Sequence, residues 1–329
     1  MSSHPVRLAL IGCGQIARLH AQRVAADGRA QWSVLFDPFP EAAKRLQAEF
    51  APEAHISPTF DDVLHRRDID AVVICTPTHL HFEQVRACRE KGWPVLCEKP
   101  LADTRERIEQ LVFEAASGGP PLSVAYQRRY QGLYRTMRRE VQSGKWGRVL
   151  AVASHNSEYW EQSQALPNTW RNDPAQNPGG YIGDAGSHKI DIIFFITGLN
   201  PLEVFAHSSR SQRQVEIITT ISAKLSGDVP LGMSFLGNAQ HFSEFLHVVC
   251  EKADFKLYYD RLERGQGNVI EPISDIEPES NPIVGFLDCL IDGAENVAPA
   301  ECALPVFQFT RGVLESAQTG MVVKLATSR

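Results

Sequence analysis

A chain of 329 residues is too long for one average domain and predicts two. Hydrophobic residues make up 43% and charged residues 22%, enough for a full core, and the net charge of −6 argues against a nucleic-acid binder or a polybasic membrane protein. No run of roughly 18 apolar residues occurs, so no membrane span is expected, and the first apolar segment of "MSSHPVRLALIGCG" is too short and too glycine-broken for a secretory leader.

In chain order, the first third alternates short β-branched runs with helical patterns. "VRLALIG" predicts a strand, followed by a helix from Ile16 to about Ala26. "WSVLFD" is the next strand and "PEAAKRLQAEF" the next helix. "FDDVLHRRDI" leads into the strand "AVVICT", then the helix "HFEQVRACREKG" and the strand "PVLCEK". The helix "TRERIEQLVFEAASG" and the strand "LSVAYQ" close the series. Strands interleaved with helices imply right-handed crossovers and a parallel sheet covered on both faces. After about Gln127 the pattern changes. "YQGLYRTMRREVQSGKWG" reads as a helix and turn, and "RVLAVASHN" as a strand. A loop rich in Asn, Pro, Gln and Gly runs from Glu161 to Gly180, and a helix begins near Gly183. "LEVFAHSS", "VEIITTISAKLSG", "PLGMSFLG" and "EFLHVVCEKADFKLYY" read as neighbouring antiparallel strands, and "PIVGFLDCLIDG" and "PVFQFTRGVLESAQTG" as closing helices. The expected architecture is an α/β Rossmann-type domain over 1–126, then an α+β domain over 127–329 built on one open, mostly antiparallel sheet.

"ALIGCGQIA" supplies Gly12-x-Gly14-x-x-Ala17 between a strand and a helix. Gly12 allows the tight turn. Gly14, with Gln15 and Ile16 behind it, lets backbone N–H groups approach a pyrophosphate at the helix N-terminus. Asp37 ends the second strand, where a carboxylate accepts both adenosine ribose hydroxyls and repels a 2′-phosphate. NAD is therefore favoured, with NADP as the alternative. A plain strand-end aspartate capping the next helix is the competing reading of Asp37.

Thr76 and Pro77 end the strand "AVVICT", and His81 sits in the first turns of the helix beyond. Ligands bind outside the carboxyl ends of parallel strands, so this segment should border the nicotinamide half. Solvated helix-start histidines are an equal reading of His79 and His81, and H-x-H alone supports no metal site. "CEKP" places Glu98 and Lys99 on the same rim, with the Lys99–Pro100 bond a candidate cis peptide. Lys99 would point at the nicotinamide and Glu98 would hold its ammonium; an ordinary solvated pair is the alternative.

In "GGYIGDAGSHKIDIIFFITG", Asp184, His188 and Asp191 fall at i, i+4 and i+7, which puts all three on one face of a single helix. A carboxylate one turn away orients the imidazole and favours its protonated form, while a nearby Lys99 ammonium pushes toward the neutral base. The same trio also reads as a helix cap plus a surface histidine. The arginines Arg128, Arg129, Arg135, Arg138 and Arg139 either attract an anionic sugar or form a solvated helix face with ion pairs. The seven cysteines, 13, 75, 88, 97, 250, 289 and 302, are odd in number and contain no C-x-x-C, which predicts reduced thiols in the cytoplasm.

Taken together, "GCGQIA", Asp37, "TPTHLH", "EKP", "VAYQRRY", "WRND", "GGYIGDAGSHKID" and "SAQTGMVVKL" resemble the glucose–fructose oxidoreductase / inositol dehydrogenase / rhizopine-catabolism (Gfo/Idh/MocA) oxidoreductases along nearly the whole chain. Ala17 in place of a third glycine is the one departure. The resemblance implies that Lys99, Asp184 and His188 are catalytic. It also implies that Tyr126 to Arg129 lead into the substrate cleft and that Trp170 and Arg171 border substrate. It further implies NAD or NADP as cofactor, a sugar or polyol as substrate, and a homodimer or homotetramer assembled through the open sheet face. The expected activity is dehydrogenation of a sugar, polyol or related cyclic alcohol. An NAD-dependent glycosidase and a non-enzymatic nucleotide-binding regulator of the same fold are the alternatives.

Overall fold

The computed structural model describes residues 4–325. In chain order its first elements are β1 (Val6–Ile11), α1 (Gln15–Asp27), β2 (Ala30–Phe36), α2 (Pro40–Phe50), β3 (His55–Ile56), α3 (Phe60–Leu64), β4 (Ala71–Ile74), α4 (Thr78–Glu90), β5 (Val95–Cys97), α5 (Arg105–Ala116) and β6 (Leu122–Val124). There follow α6 (Gly132–Gln142), β7 (Val149–Ser157), α7 (Trp160–Ser163), α8 (Gly180–Gly183), α9 (Gly186–Thr197), β8 (Pro201–Ser209), β9 (Ile218–Leu225) and β10 (Val229–Leu236). The last are β11 (Ser243–Cys250), β12 (Asp254–Tyr258), β13 (Leu262–Gln266), β14 (Val269–Pro272), α10 (Pro282–Asp292), α11 (Ala303–Thr319) and β15 (Val323–Lys324). The chain divides into two compact units, Met1–Tyr130 with Ser280–Leu304, and Gln131–Glu279 with Pro305–Arg329.

The first unit carries a parallel sheet ordered β3-β2-β1-β4-β5-β6. Every residue of β4, β5 and β6 is buried, the continuous apolar reading of strands covered on both faces. The helix expected from Ile16 runs from Gln15 to Asp27 and ends on Gly28 at φ +77°. The two-residue edge strand β3 has no counterpart in the sequence reading, being too short for any periodicity. A larger difference concerns α10. The sequence split at 126/127 assigns it to the second domain, but Ile283, Phe286 and Leu287 join the core formed by Leu8, Leu10, Ala17, Ala21 and Val24. Arg29 on the loop after α1 also pairs with Asp288 at 2.7 Å. The pattern of α10 announces an apolar stripe; it carries no information on which sheet the stripe meets.

The second unit holds a nine-stranded sheet ordered β14-β13-β12-β11-β7-β10-β9-β8-β15. It is antiparallel except where β10 runs parallel to β7. β10 and β11 follow one another in sequence yet do not pair; β7 lies between them. Strands β9 and β10 alternate strictly, with Thr219, Ile221, Leu231 and Met233 buried and Thr220, Ser222 and Gly232 exposed. One face is therefore covered and the other open. On the covered face a Cβ at Gly186, the first residue of α9, would stand 3.2 Å from the Phe235 ring of β10.

Candidate active site

The dinucleotide turn is shaped by what cannot fit. Gly12 has φ +87°, and a Cβ there would lie 2.8 Å from the Cys75 carbonyl carbon at the end of β4. The turn is pressed against the neighbouring strand, so only glycine serves. Gly14 caps α1 with no side-chain hydrogen bond, and a Cβ there would meet nothing within 4 Å. The N-terminus of α1 thus has no side-chain cap and open space at Gly14, which fits a pyrophosphate. Asp37 stands beside the turn: one carboxylate oxygen accepts from Cys13 N–H and the other from Phe39 N–H, both at 2.8 Å. The Cys13 thiol is pushed up to about 12 by burial and then by the Asp37 charge, so it stays protonated.

Along the same rim, Thr76 donates to Gln84 Oε1 at 2.5 Å. His79 is exposed, whereas His81 is 1% exposed, which removes the solvated reading for His81. Its two ring nitrogens lie 2.8 Å from the Pro100 carbonyl and 2.7 Å from the Thr76 carbonyl. His81 thus braces the β4 and β5 exits against one another. Burial pulls its pKa down, opposed by the two carbonyls and by Glu98.

β5 ends at Cys97, and the Lys99–Pro100 peptide is cis. Glu98 is 6% exposed; it is not a solvated partner of Lys99. Its Oε1 meets His20 Nε2 at 2.8 Å and its Oε2 accepts from Lys99 N–H at 3.2 Å. Sequence reasoning passed over His20. The available signal was a histidine on the stripe of α1 that also carries Ala17, Ala21 and Val24, all buried.

In the second unit, Asp184 and His188 do not share a helix. Asp184 closes α8 with φ −87° and ψ −88°, and α9 begins only at Gly186, so the single face through Asp184, His188 and Asp191 is broken at its first member. Asp191 is fully buried. Every other residue of α9 is buried, and His188 alone is half-buried, which singles out its imidazole on an otherwise internal helix. Asp184 is held by Arg171, whose Nε donates to it at 2.8 Å. The Arg171 guanidinium lies 4.4 Å from the centre of the Trp170 ring. A polar hollow of about 250 Å³ beside Trp170 is lined by Asn168, Asn172, Asp173, Gln176 and Gln214, but by neither Asp184 nor His188.

Of the basic cluster, Arg129 donates to the Val297 carbonyl within the first unit. Arg135 and Arg139 pair with Glu277 at 3.1 and 3.0 Å, and Arg138 covers the Phe195 ring at 4.5 Å, all within the second unit. These four are occupied by the protein itself. Arg128 lies half-buried in the short 3₁₀ turn Gln127–Tyr130.

Comparison with known proteins agrees with this layout. Residues 6–126 match the Gfo/Idh/MocA oxidoreductase family, NAD-binding Rossmann fold, and residues 134–256 match a Gfo/Idh/MocA C-terminal domain. An inositol 2-dehydrogenase of Rhizobium meliloti (strain 1021) is 29% identical over 201 residues, 61% of this chain and 58% of that protein. The chain thus spans a little over half the length of that relative. The rhizopine catabolism protein MocA of Rhizobium meliloti is 26% identical over 238 residues, 70% of this chain and 72% of that protein. Among solved structures, the WlbA dehydrogenase of Bordetella pertussis in complex with NADH and UDP-GlcNAcA shares the fold. Its TM-score is 0.84 at 21% identity, over 99% of this chain and 100% of that one. The chain belongs to the Gfo/Idh/MocA family of NAD-binding Rossmann oxidoreductases.

Proposed function

We propose that this protein is an NAD-dependent dehydrogenase that moves a hydride between nicotinamide and a carbinol carbon of a sugar, polyol or related cyclic alcohol. The observation that carries the reading is the glycine turn, with Asp37 beside it and Lys99 on the same rim of the sheet. The inositol 2-dehydrogenase relative supports a polyhydroxylated substrate.

Gly12, Gly14, Gln15 and Ile16 would hold the pyrophosphate, Asp37 the adenosine ribose, and Thr76, Pro77, His81 and Glu98 would frame the nicotinamide half. When bound, the cofactor accepts the hydride from carbon. The hydroxyl proton must leave at the same time, and His188 takes it as base. Lys99, on the rim of the first unit, would stabilise developing negative charge on a substrate oxygen. The reverse assignment, with Lys99 as base, uses the same two groups. Asp184, fixed by Arg171, orients His188 or a neighbouring substrate hydroxyl. Trp170, Arg171 and Arg128 complete the substrate contacts. The test is a polyol and sugar panel with NAD and NADP, followed by absorbance at the reduced-nicotinamide band. Glycosidic cleavage without net NADH would replace this reading with the glycosidase, and NAD binding with no turnover anywhere on the panel would replace it with a regulator.

Asp37 decides the dinucleotide. Asp37→Ser removes the charge that a 2′-phosphate would meet. The NADP-to-NAD affinity ratio should rise by about tenfold or more. An unchanged ratio in titrations of both dinucleotides removes Asp37 from this role.

We also propose a homodimer or homotetramer formed through the open sheet face. Its centre carries small side chains, Ser222, Gly232 and Ala153 in register across β9, β10 and β7, with Thr220 two residues along β9. A Cβ at Gly232 would meet nothing within 4 Å, so Gly232→Arg is tolerated by the protomer and should yield monomers in sedimentation. Unaltered sedimentation would move the interface elsewhere. The seven thiols form no disulfide, which supports a reducing compartment such as the cytoplasm. Among the described residues no helix is long and apolar enough to cross a membrane.

A further inference from the structure

The group behind Lys99 has a property that the proposed reaction does not require. Glu98 is almost wholly enclosed, and both its oxygens accept from N–H groups, His20 Nε2 and Lys99 N, an arrangement that suits an anion. His20 is 0% exposed, and its Nδ1 has no hydrogen-bond partner among the described residues. A buried N–H at Nδ1 without an acceptor costs more than a bare lone pair, so the ring proton belongs on Nε2. In that form His20 donates to Glu98 without cancelling its charge.

The other groups facing Glu98 do not cancel it by contact either. Arg23 is a permanent cation that feels the Glu98 charge without touching it; it spends Nη2 on Gln127 at 3.2 Å, and its Nη1 is buried without a hydrogen-bond partner among the described residues. His81 is committed to two main-chain carbonyls. Cys75 and Cys97 are held protonated, first by burial and then by Glu98 itself. The next residue carries the Lys99 ammonium. A negative charge thus sits in low-dielectric surroundings, just past the carboxyl end of β5, on the rim where a dinucleotide binds.

Oxidised nicotinamide carries a positive charge and reduced nicotinamide is neutral. A fixed anion beside the site therefore interacts differently with the two forms. We infer that Glu98 biases the site toward the oxidised dinucleotide and hastens release of the reduced one. The inference rests on the dehydrogenase reading above. It assigns Glu98 a role in electrostatics and His20 the role of keeping that charge in place.

The test is calorimetric titration of wild type, Glu98→Gln, His20→Gln and the double variant with NAD, NADH and ADP-ribose. Glu98→Gln should lower the ratio of NAD to NADH affinity by about tenfold, the order expected of one unit charge in a partly screened interior. ADP-ribose affinity should not move. His20→Gln keeps the carboxylate and a donor, so its ratio should stay at the wild-type value. Should Glu98→Gln fail to fold, the double variant reads the same quantity with no buried charge and two amides able to pair. A ratio unchanged in the charge-free variants, or shifted equally by His20→Gln, overturns the inference while leaving the dehydrogenase reading intact. Wild type that binds neither dinucleotide overturns both.

Discussion

Replacing Lys99 or His188 by alanine should lower turnover by roughly 10²–10⁴-fold while NAD affinity stays nearly intact. The expectation follows from where each side chain is carried. Lys99 lies past the end of β5, and its main-chain N–H donates to Glu98, so truncation at Cβ leaves that anchor in place. His188 is the one residue of α9 not enclosed by the second unit, so its removal leaves no cavity in the core. The measurement is kcat on whichever polyol the panel identifies, alongside NADH fluorescence titration. Turnover near wild type in both variants would end the catalytic assignment. A loss confined to KM would make the pair substrate ligands rather than acid–base groups.

The largest stability loss is expected from Lys189→Met. Lys189 follows His188 but points into the unit, where its ammonium pairs with Glu244 and lies 3.7 Å from Glu158. Both Lys189 and Glu244 side chains are only 4% exposed, and the Tyr134 hydroxyl donates to Glu244. Removing Lys189 takes the ammonium away from a buried carboxylate, at about 3–5 kcal/mol. The urea midpoint should fall accordingly, and Lys189→Met combined with Glu244→Leu should recover much of the loss. A loss below about 1 kcal/mol in the single variant would show that the carboxylate finds other solvation. Because this cluster anchors the residue next to His188, it also holds that part of α9 in place.

The parallel sheet was legible because strands buried on both faces are unbroken apolar runs, and because the glycine turn at Gly12 and Gly14 sits between a strand and a helix. The second sheet was legible only where one face is wet. β9 and β10 announce themselves by alternation, whereas β13, with "LERGQ", and the wholly exposed β14 carry no alternation to read. The insertion of β7 between β10 and β11 depends on contacts across the chain that no local pattern encodes. Asp184 misled for a related reason. Helical periodicity runs on through "YIGDAGSHKID", but the small residues Gly183, Ala185 and Gly186 let the backbone bend there, where a Cβ on Gly186 would crowd the Phe235 ring. His20 and Glu98 were hidden in plain composition: neither residue type reveals burial until the helix and strand that carry them meet.

The route of the chain has a consequence for synthesis. It leaves the first unit at Tyr130, re-enters at Ser280 and leaves again after Leu304. The surface of α1 that α10 covers therefore stays bare while the ribosome makes the whole intervening stretch, on the order of ten seconds at about 5–20 residues per second. Nascent chains stalled before Ser280 should recruit holdase chaperones through that uncovered stripe, and a truncated chain ending at the first domain's apparent boundary should inherit the same stickiness.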